Sequence, residues 1–538
     1  SREVSVQNLP PLQRMLCISY ADIIKNRILP DVDFFEMGGD SFGMMTLLEN
    51  IYEVYGVKIS TAEFLNDSTV INMEKLILEK RKNTESRAKT AANISDTYEL
   101  TDIQLSYFFD RKYNENGETL CTSSYRELVC NDFNIDRFRK VINKIIKRHD
   151  ILRTVFNEDG TQTVLKNAEA EIEEVTISDI SEADIKRREY ADKKLDITKA
   201  PVLGICVQYL SEKKAIVGIH TDGLVMDGRS LMILTDEINI LYADIDALSD
   251  KAETRYADYV EYRKALKDSD EYKKDKEYWD ERRKNLASNI ELPLNKYSGI
   301  VSGASSHIEF SESKWSALEK YAEKNGVTTF VTLLTILGLS LKILTKENKY
   351  LICIPEDSRP ETGEYKKEMG VFSNFMFFEF DGADGRFTDK VKANQKQLLE
   401  LKKHHLFSGT ENLREAGAET GEVGNGIVPV VFTSIIFDES GEQLFEKRYF
   451  ESHSSNIPLE FVLDKISGKV WLTVNYVREL LNADIIGQIE ENIRNITDKL
   501  VSGSAEWENV IHADISEHDK KVWEEVNSTD TDMQYQSI

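Results

Sequence analysis

An apolar run, Ala215-Ile216-Val217-Gly218-Ile219-His220, breaks into Asp222-Gly223-Leu224-Val225-Met226-Asp227-Gly228-Arg229-Ser230, and this junction constrains the fold more than any other stretch. An apolar run that short and unbroken predicts a buried strand. Two carboxylates, two glycines and a hydroxyl then predict a turn at its end, where a rigid sheet aims polar groups into a cleft. Asp, Gly and Ser are also ordinary turn formers, so spacing alone leaves a plain turn open. No His or further carboxylate stands close enough on a shared face to complete a metal site.

The chain has 538 residues and a net charge of -26, with 30% charged and 41% hydrophobic residues. Its length allows more than one domain, and the composition is that of a soluble globular protein. The acidic balance argues against nucleic acid or an anionic membrane as partner, because both call for basic patches. The longest apolar run, Phe330 to Leu341, is too short to span a bilayer. Ser1-Arg2-Glu3-Val4 carries no signal-peptide pattern. Cys17, Cys121, Cys130, Cys206 and Cys353 sit mostly in apolar context, with no Cys-x-x-Cys pair. They are expected as buried free thiols in a reducing compartment, hence a cytoplasmic protein.

Residues 1–80 predict a small helical domain. Leu12, Met15, Leu16, Tyr20, Ile23 and Ile24 recur at helical spacing, and Met45, Leu48, Ile51 and Tyr55 form the face of a second helix. Between them, Phe34-Phe35-Glu36-Met37-Gly38-Gly39-Asp40-Ser41-Phe42 resembles the phosphopantetheine attachment site of acyl and peptidyl carrier proteins. The resemblance implies a four-helix carrier with 4'-phosphopantetheine on Ser41. A helix N-terminus suits the phosphodiester, and Gly38-Gly39 leave the hydroxyl open to a modifying enzyme. A plain Ser N-cap after a Gly turn explains the helix start as well. Residues 81–97 lose the apolar period and predict a linker.

From Tyr98 the pattern becomes that of a large α/β domain, residues 98–515. Asp222-x-x-x-x-Asp227-x-x-Ser230 resembles the core motif of the heterocyclisation domains of nonribosomal peptide synthetases. Their condensation relatives carry His-His-x-x-x-Asp-Gly there, so Asp222 and Gly223 stand where the two histidines would be. The pair His404-His405 lacks the Asp-Gly. Leu100–Tyr107 resembles the family's opening motif, and Arg148-His149-Asp150-Ile151-Leu152-Arg153 its Arg-His-x-x-Leu-Arg segment. His149 taken alone is expected to be structural. Residues 231–285 are heavily charged and predict solvated helices. Met369–Asn374 aligns with a Gly-Asp-Phe-Thr motif, from which Val371 and Ser373 depart. Pro429-Val430-Val431-Phe432-Thr433-Ser434 matches a family motif residue for residue. Ser455–Asp464 is a looser match to Ser-x-Thr-Pro-Gln-x-x-Leu-Asp, with one extra residue after Pro458, and Asp464-Lys465-Ile466-Ser467-Gly468 is open to a plain hairpin turn.

The resemblance implies two chloramphenicol-acetyltransferase-like lobes, 98–268 and 269–515, forming a V with a central tunnel, then a connector, 516–538, toward an absent adenylation domain. It implies condensation of a carrier-bound acyl or peptidyl thioester with Cys, Ser or Thr on a downstream carrier, then loss of water to a thiazoline or oxazoline. The implied partners are that carrier, neighbouring synthetase modules and a phosphopantetheinyl transferase. Asp464, its carboxyl raised by an apolar channel, is expected as the general acid–base group, with Thr433 positioning the hydroxyl intermediate. Asp222, Asp227 and Ser230 are expected to shape the turn, with Arg153 as the buried charge partner of Asp227. A condensation-only enzyme and a non-catalytic carrier-recruiting platform are the alternatives. A free-standing acyltransferase is disfavoured by the fused carrier and the missing histidine at position 223.

Overall fold

The computed structural model describes residues 11–24, 28–39, 41–55, 57, 59–84, 96–113, 120–297, 301–360, 365–420, 429–436, 443–454 and 457–513. Most of the expected linker, the expected connector and the Ser41 side chain lie outside the described residues.

Four helices come first: α1 (Pro11–Ile24), α2 (Ser41–Tyr55), α3 (Thr61–Asn66) and α4 (Val70–Thr84). They close over a core of their own in which Leu16, Tyr20, Phe34, Ile51, Phe64 and Met73 are fully covered. Met15, expected on the buried stripe, is 49% exposed. Ser60 and Glu63 cap α3 reciprocally, satisfying two otherwise orphaned donors.

The first lobe contains β1 (Thr97–Glu99), α5 (Asp102–Tyr113), β2 (Ser123–Cys130), α6 (Ile135–Arg148), β3 (Thr154–Phe156), β4 (Thr161–Val164) and β5 (Ile172–Thr176). It continues through α7 (Ile180–Ala191), β6 (Leu203–Tyr209), β7 (Ala215–Asp222), α8 (Gly228–Ala243) and α9 (Tyr256–Leu266). Every residue of β7 is buried, as its unbroken apolar run predicts. The stripe Phe138, Val141, Ile142, Ile145 and Ile146 buries one face of α6. The charged stretch 231–285 behaves differently from expectation at its start, because Leu231, Leu234, Ile238 and Leu241 bury α8 in the first lobe's core.

The second lobe adds α10 (Asp270–Arg283), β8 (Gly303–Phe310), α11 (Glu312–Lys324), α12 (Thr329–Leu341), β9 (Lys349–Asp357), β10 (Ser373–Asp381), α13 (Phe387–Lys403) and α14 (Gly409–Thr420). It closes with β11 (Val430–Ser434), β12 (Glu446–His453), β13 (Leu459–Ile466), β14 (Lys469–Val477) and α15 (Ala483–Ser502). Its sheet runs β10-β9-β11-β13-β14-β8, covered by α11, α12, α13 and α15. The hairpin turn after β13 is Ser467-Gly468, both at positive φ, so Asp464 lies within the strand and not in the turn. Among the described residues no single helix is long and apolar enough to cross a membrane.

One strand crosses the expected division at 268/269. β12 leaves the second lobe and pairs antiparallel with β2, so the first lobe's sheet runs β12-β2-β7-β6-β5. Phe445, at its start, packs edge-on against Tyr242 with ring centroids 4.9 Å apart and contacts Phe133 and Phe138. Truncating this fully buried ring leaves a cavity in a lobe the residue does not otherwise belong to. Phe445→Ala is expected to lower stability by about 3–5 kcal/mol, read as a fall in the urea unfolding midpoint.

Candidate active site

β7 delivers its last residue, Asp222, to the seam between the lobes, and the chain turns there at once. Asp222 Oδ1 accepts from the Leu224 amide at 2.9 Å, its carbonyl accepts from Val225 and Met226, and Arg111 of α5 pairs with its carboxylate. The Gly223 amide donates to the Thr122 carbonyl at 2.8 Å. A Cβ at position 223 would stand 2.6 Å from Thr122 Cγ2 and 3.1 Å from the Thr122 oxygen. No imidazole fits at that position without moving Thr122.

Asp227 then caps α8, accepting from the Ser230 amide at 2.7 Å. Its carboxylate also takes the forked guanidinium of Arg359 at 3.1 and 3.2 Å and the Phe372 amide at 2.9 Å. Ser230 Oγ donates to the Gly370 carbonyl at 2.8 Å and accepts from the Gly370 amide and from Arg359. Position 370 has no room for a side chain, because a Cβ would meet the Tyr256 ring at 2.2 Å. The turn is therefore latched to the second lobe by an almost wholly buried bidentate pair.

This corrects the expected partner. Arg153 lies in a short helical turn after α6, where it pairs with Asp150 at 2.6 Å and donates to the Ile146 and Leu165 carbonyls. Arg359, 132 residues from Asp227 in the chain, supplies the charge instead. A second tie lies alongside. His149, at the end of α6, contacts Glu237 of α8 at 3.0 Å and Glu368 of the second lobe at 3.3 Å. Burial alone would push this imidazole down, but the two carboxylates carry it up to about 9.

A cavity of about 150 Å³ opens between the lobes beside the latch. Thr433, at the end of β11, faces it half-buried, with Tyr107, Met226, Phe375, His453 and Glu460 in the surrounding wall. Asp227 and Gly223 reach its edge.

Asp464 is absent from that wall, which corrects the expected Thr433–Asp464 pair. Its side chain is fully buried farther along β13, 3.7 Å from both Arg126 of β2 and Lys447 of β12. It serves as the counterion of two cations where β12 crosses. Glu460 sits on the same face of β13 four residues earlier, about 13 Å along a strand, and its carboxylate borders the cavity. The residues of the latch and cavity wall missed by the sequence reading are Arg359, Glu460 and His453. Strand parity offered the one usable signal, since residues 460, 462 and 464 share a face.

Residues 94–512 match the condensation domain family, and residues 16–77 match the phosphopantetheine attachment site. Bacitracin synthase 1 of Bacillus licheniformis is 25% identical over 525 residues, covering 92% of this chain and 10% of that protein. Gramicidin S synthase 2 of Aneurinibacillus migulanus is 21% identical over 492 residues, covering 87% of this chain and 11% of that protein. The chain thus spans a small part of these relatives' length. Among solved structures, the EpoB cyclization-docking bidomain from Sorangium cellulosum has a TM-score of 0.69 at 22% identity, covering 86% of this chain and 99% of that one. The X-domain from teicoplanin biosynthesis has a TM-score of 0.63 at 15% identity, covering 80% and 99%. The attachment-site match implies a covalent 4'-phosphopantetheine on Ser41, and the local backbone suits it. α2 begins at Ser41, Gly38 holds φ +101, and a Cβ on Gly39 would meet the Phe34 ring at 2.1 Å. Only glycines make that approach to a helix N-terminus.

Two outcomes follow from the latch. Arg359→Met strands a buried Asp227 and is expected to cost about 3–5 kcal/mol in urea unfolding, while Arg153→Met costs less, its partner being less buried. The raised His149 contributes stability fully present below about pH 6.5 and lost as pH rises through about 9. The urea midpoint should fall across that window, and His149→Gln should flatten the fall.

Proposed function

This chain belongs to the condensation domain family, and we propose that its cavity joins an acyl or peptidyl thioester to Cys, Ser or Thr on a second carrier and then closes the ring with loss of water. The carrier arm on Ser41, when present, supplies the thiol that holds the acyl group. The observation that carries the reading is the turn itself: Gly223 is pressed onto Thr122, so the histidine of the condensing relatives has no space, while Thr433 faces the cavity beside it. The likeness to a cyclization domain of another synthetase supports the same reading.

The chain's own residues divide the work. Asp222 with Arg111, and Asp227 with Arg359 and Ser230, fix the cavity wall and neutralise their own charge. They shape the site. A cavity walled by two lobes raises the effective concentration of the two thioesters, which is the main lever for amide formation. Thr433 offers a hydroxyl to the hydroxylated ring intermediate from β11, whose backbone is fixed between β9 and β13. The attacking thiol or hydroxyl and the new amide carbonyl both come from the substrates, so the protein needs to supply only position and proton transfer.

The test loads Ser41 from an acyl-coenzyme A with a phosphopantetheinyl transferase, adds a separate carrier charged with cysteine, and weighs the product by mass spectrometry. A product one water lighter than the linear amide supports the reading. The intact linear amide supports a condensation-only enzyme, and carrier binding without product supports a recruiting platform. Ser41→Ala should take up no phosphopantetheine mass. Thr433→Val should slow ring formation about tenfold, the worth of one neutral hydrogen bond, with little change in amide formation.

A further inference from the structure

The carboxylates near the cavity share one feature, and Glu460 breaks it. Asp222 is paired with Arg111, Asp227 with Arg359, Asp464 with Arg126 and Lys447, and Glu451 with Arg188. Glu460 has no ion-pair partner among the described residues. Its Oε2 accepts from Ser452 Oγ at 2.5 Å and from Asn475 Nδ2 at 3.1 Å, both neutral donors. Asn475 is itself held by Ser305, 2.7 Å from its Oδ1, and donates to Ser452 at 3.0 Å. Among the described residues Oε1 accepts no hydrogen bond, and the side chain borders the cavity that Thr433 faces.

The same side chain also lines a side pocket of about 10 Å³, together with Ser452, His453, Ser454 and Asn475. That volume holds roughly one water. The titratable groups that feel Glu460 across the packing are Tyr107 on α5, Cys353 on β9 and His453 on β12. Burial, with Arg188 nearby, pushes the His453 imidazole down to about 4. None of the three brings positive charge at neutral pH. A carboxylate at a cavity wall with no contacting cation and one oxygen without a hydrogen bond is placed to meet the polar hydrogens of a bound intermediate.

We propose that Glu460 is the proton-transfer residue of ring closure in this cavity, the role expected of Asp464, and that the side pocket beside it receives the expelled water. The inference rests on the cyclising reading above. In the hydroxylated ring intermediate, the Glu460 carboxylate takes the proton from the ring nitrogen. The carboxyl then gives that proton to the hydroxyl on the adjacent carbon. The C–O bond breaks as the C=N bond forms, one water leaves, and the carboxylate is regenerated. One proton has moved from nitrogen to oxygen, and no oxidant or metal enters.

The experiment compares wild type, Glu460→Gln, Glu460→Asp and Asp464→Asn as full chains, each loaded on Ser41 from acetyl-coenzyme A and given a separate carrier charged with cysteine. Gln keeps an acceptor for Ser452 and Asn475, so the fold should survive, checked by an unchanged urea midpoint. Glu460→Gln is expected to slow ring formation about 10²–10⁴-fold, with the linear amide accumulating at an unchanged rate. Glu460→Asp should restore part of the rate. Asp464→Asn should leave the ratio of ring to linear amide as in wild type. Ring formation by Glu460→Gln at the wild-type rate, or a shift of that ratio by Asp464→Asn alone, overturns the assignment while leaving the cyclising reading intact. A wild type that stops at the linear amide overturns the cyclising reading, and the assignment with it.

Discussion

The bidentate pair between Asp227 and Arg359 is the interaction on which the rest of the site depends. Both groups are almost wholly shielded from water, so each charge is tolerated only because the other is in place. Through Ser230 and Gly370 the pair fixes the start of α8 to the segment that leads into β10. The His149–Glu237–Glu368 contacts tie α6 and α8 to the same segment a short way off. The two lobes thus meet over buried polar contacts whose geometry is specific, where an apolar seam would allow sliding. That specificity gives the cavity a fixed shape.

Charge is distributed around the cavity in a way that separates scaffold from chemistry. Carboxylates that hold elements together are each matched by a guanidinium or ammonium group. Glu460 alone among those considered is held by a hydroxyl and an amide. Neutral donors restrain a side chain without fixing its ionisation as firmly as a contacting cation does. Much of the wall around it is apolar or uncharged, as with Phe375, Val462 and a neutral His453.

Much of the fold was legible because local patterns and tertiary burial agree. β7 is an unbroken apolar run and is buried throughout, and the five apolar residues of α6 fall on one face and pack there. Pro429–Ser434 carries its strand and its hydroxyl to the cavity as its pattern implied. The partners of buried charges were not legible. Arg359 lies in a segment with no local signature and reaches Asp227 only through the meeting of two lobes. Asp464 failed for a matter of reach: strand parity put it on the correct face, but four residues carry it past the cavity and under β12. α8 looked like surface because Glu237 and Asp236 lend it charge, yet Glu237 is spent inside the protein on Arg148 and His149.

β12 has a consequence for how the chain reaches this state on the ribosome. The strand that completes the first sheet is made more than three hundred residues after the strand it joins, the Thr122–Ser454 contact spanning 332 positions. Until then β2 presents an open hydrogen-bonding edge, a template for pairing with other nascent chains. Closing so long a loop is slow, because its entropy is lost before the contact is gained. The first lobe's sheet is therefore complete only once β12 has been made.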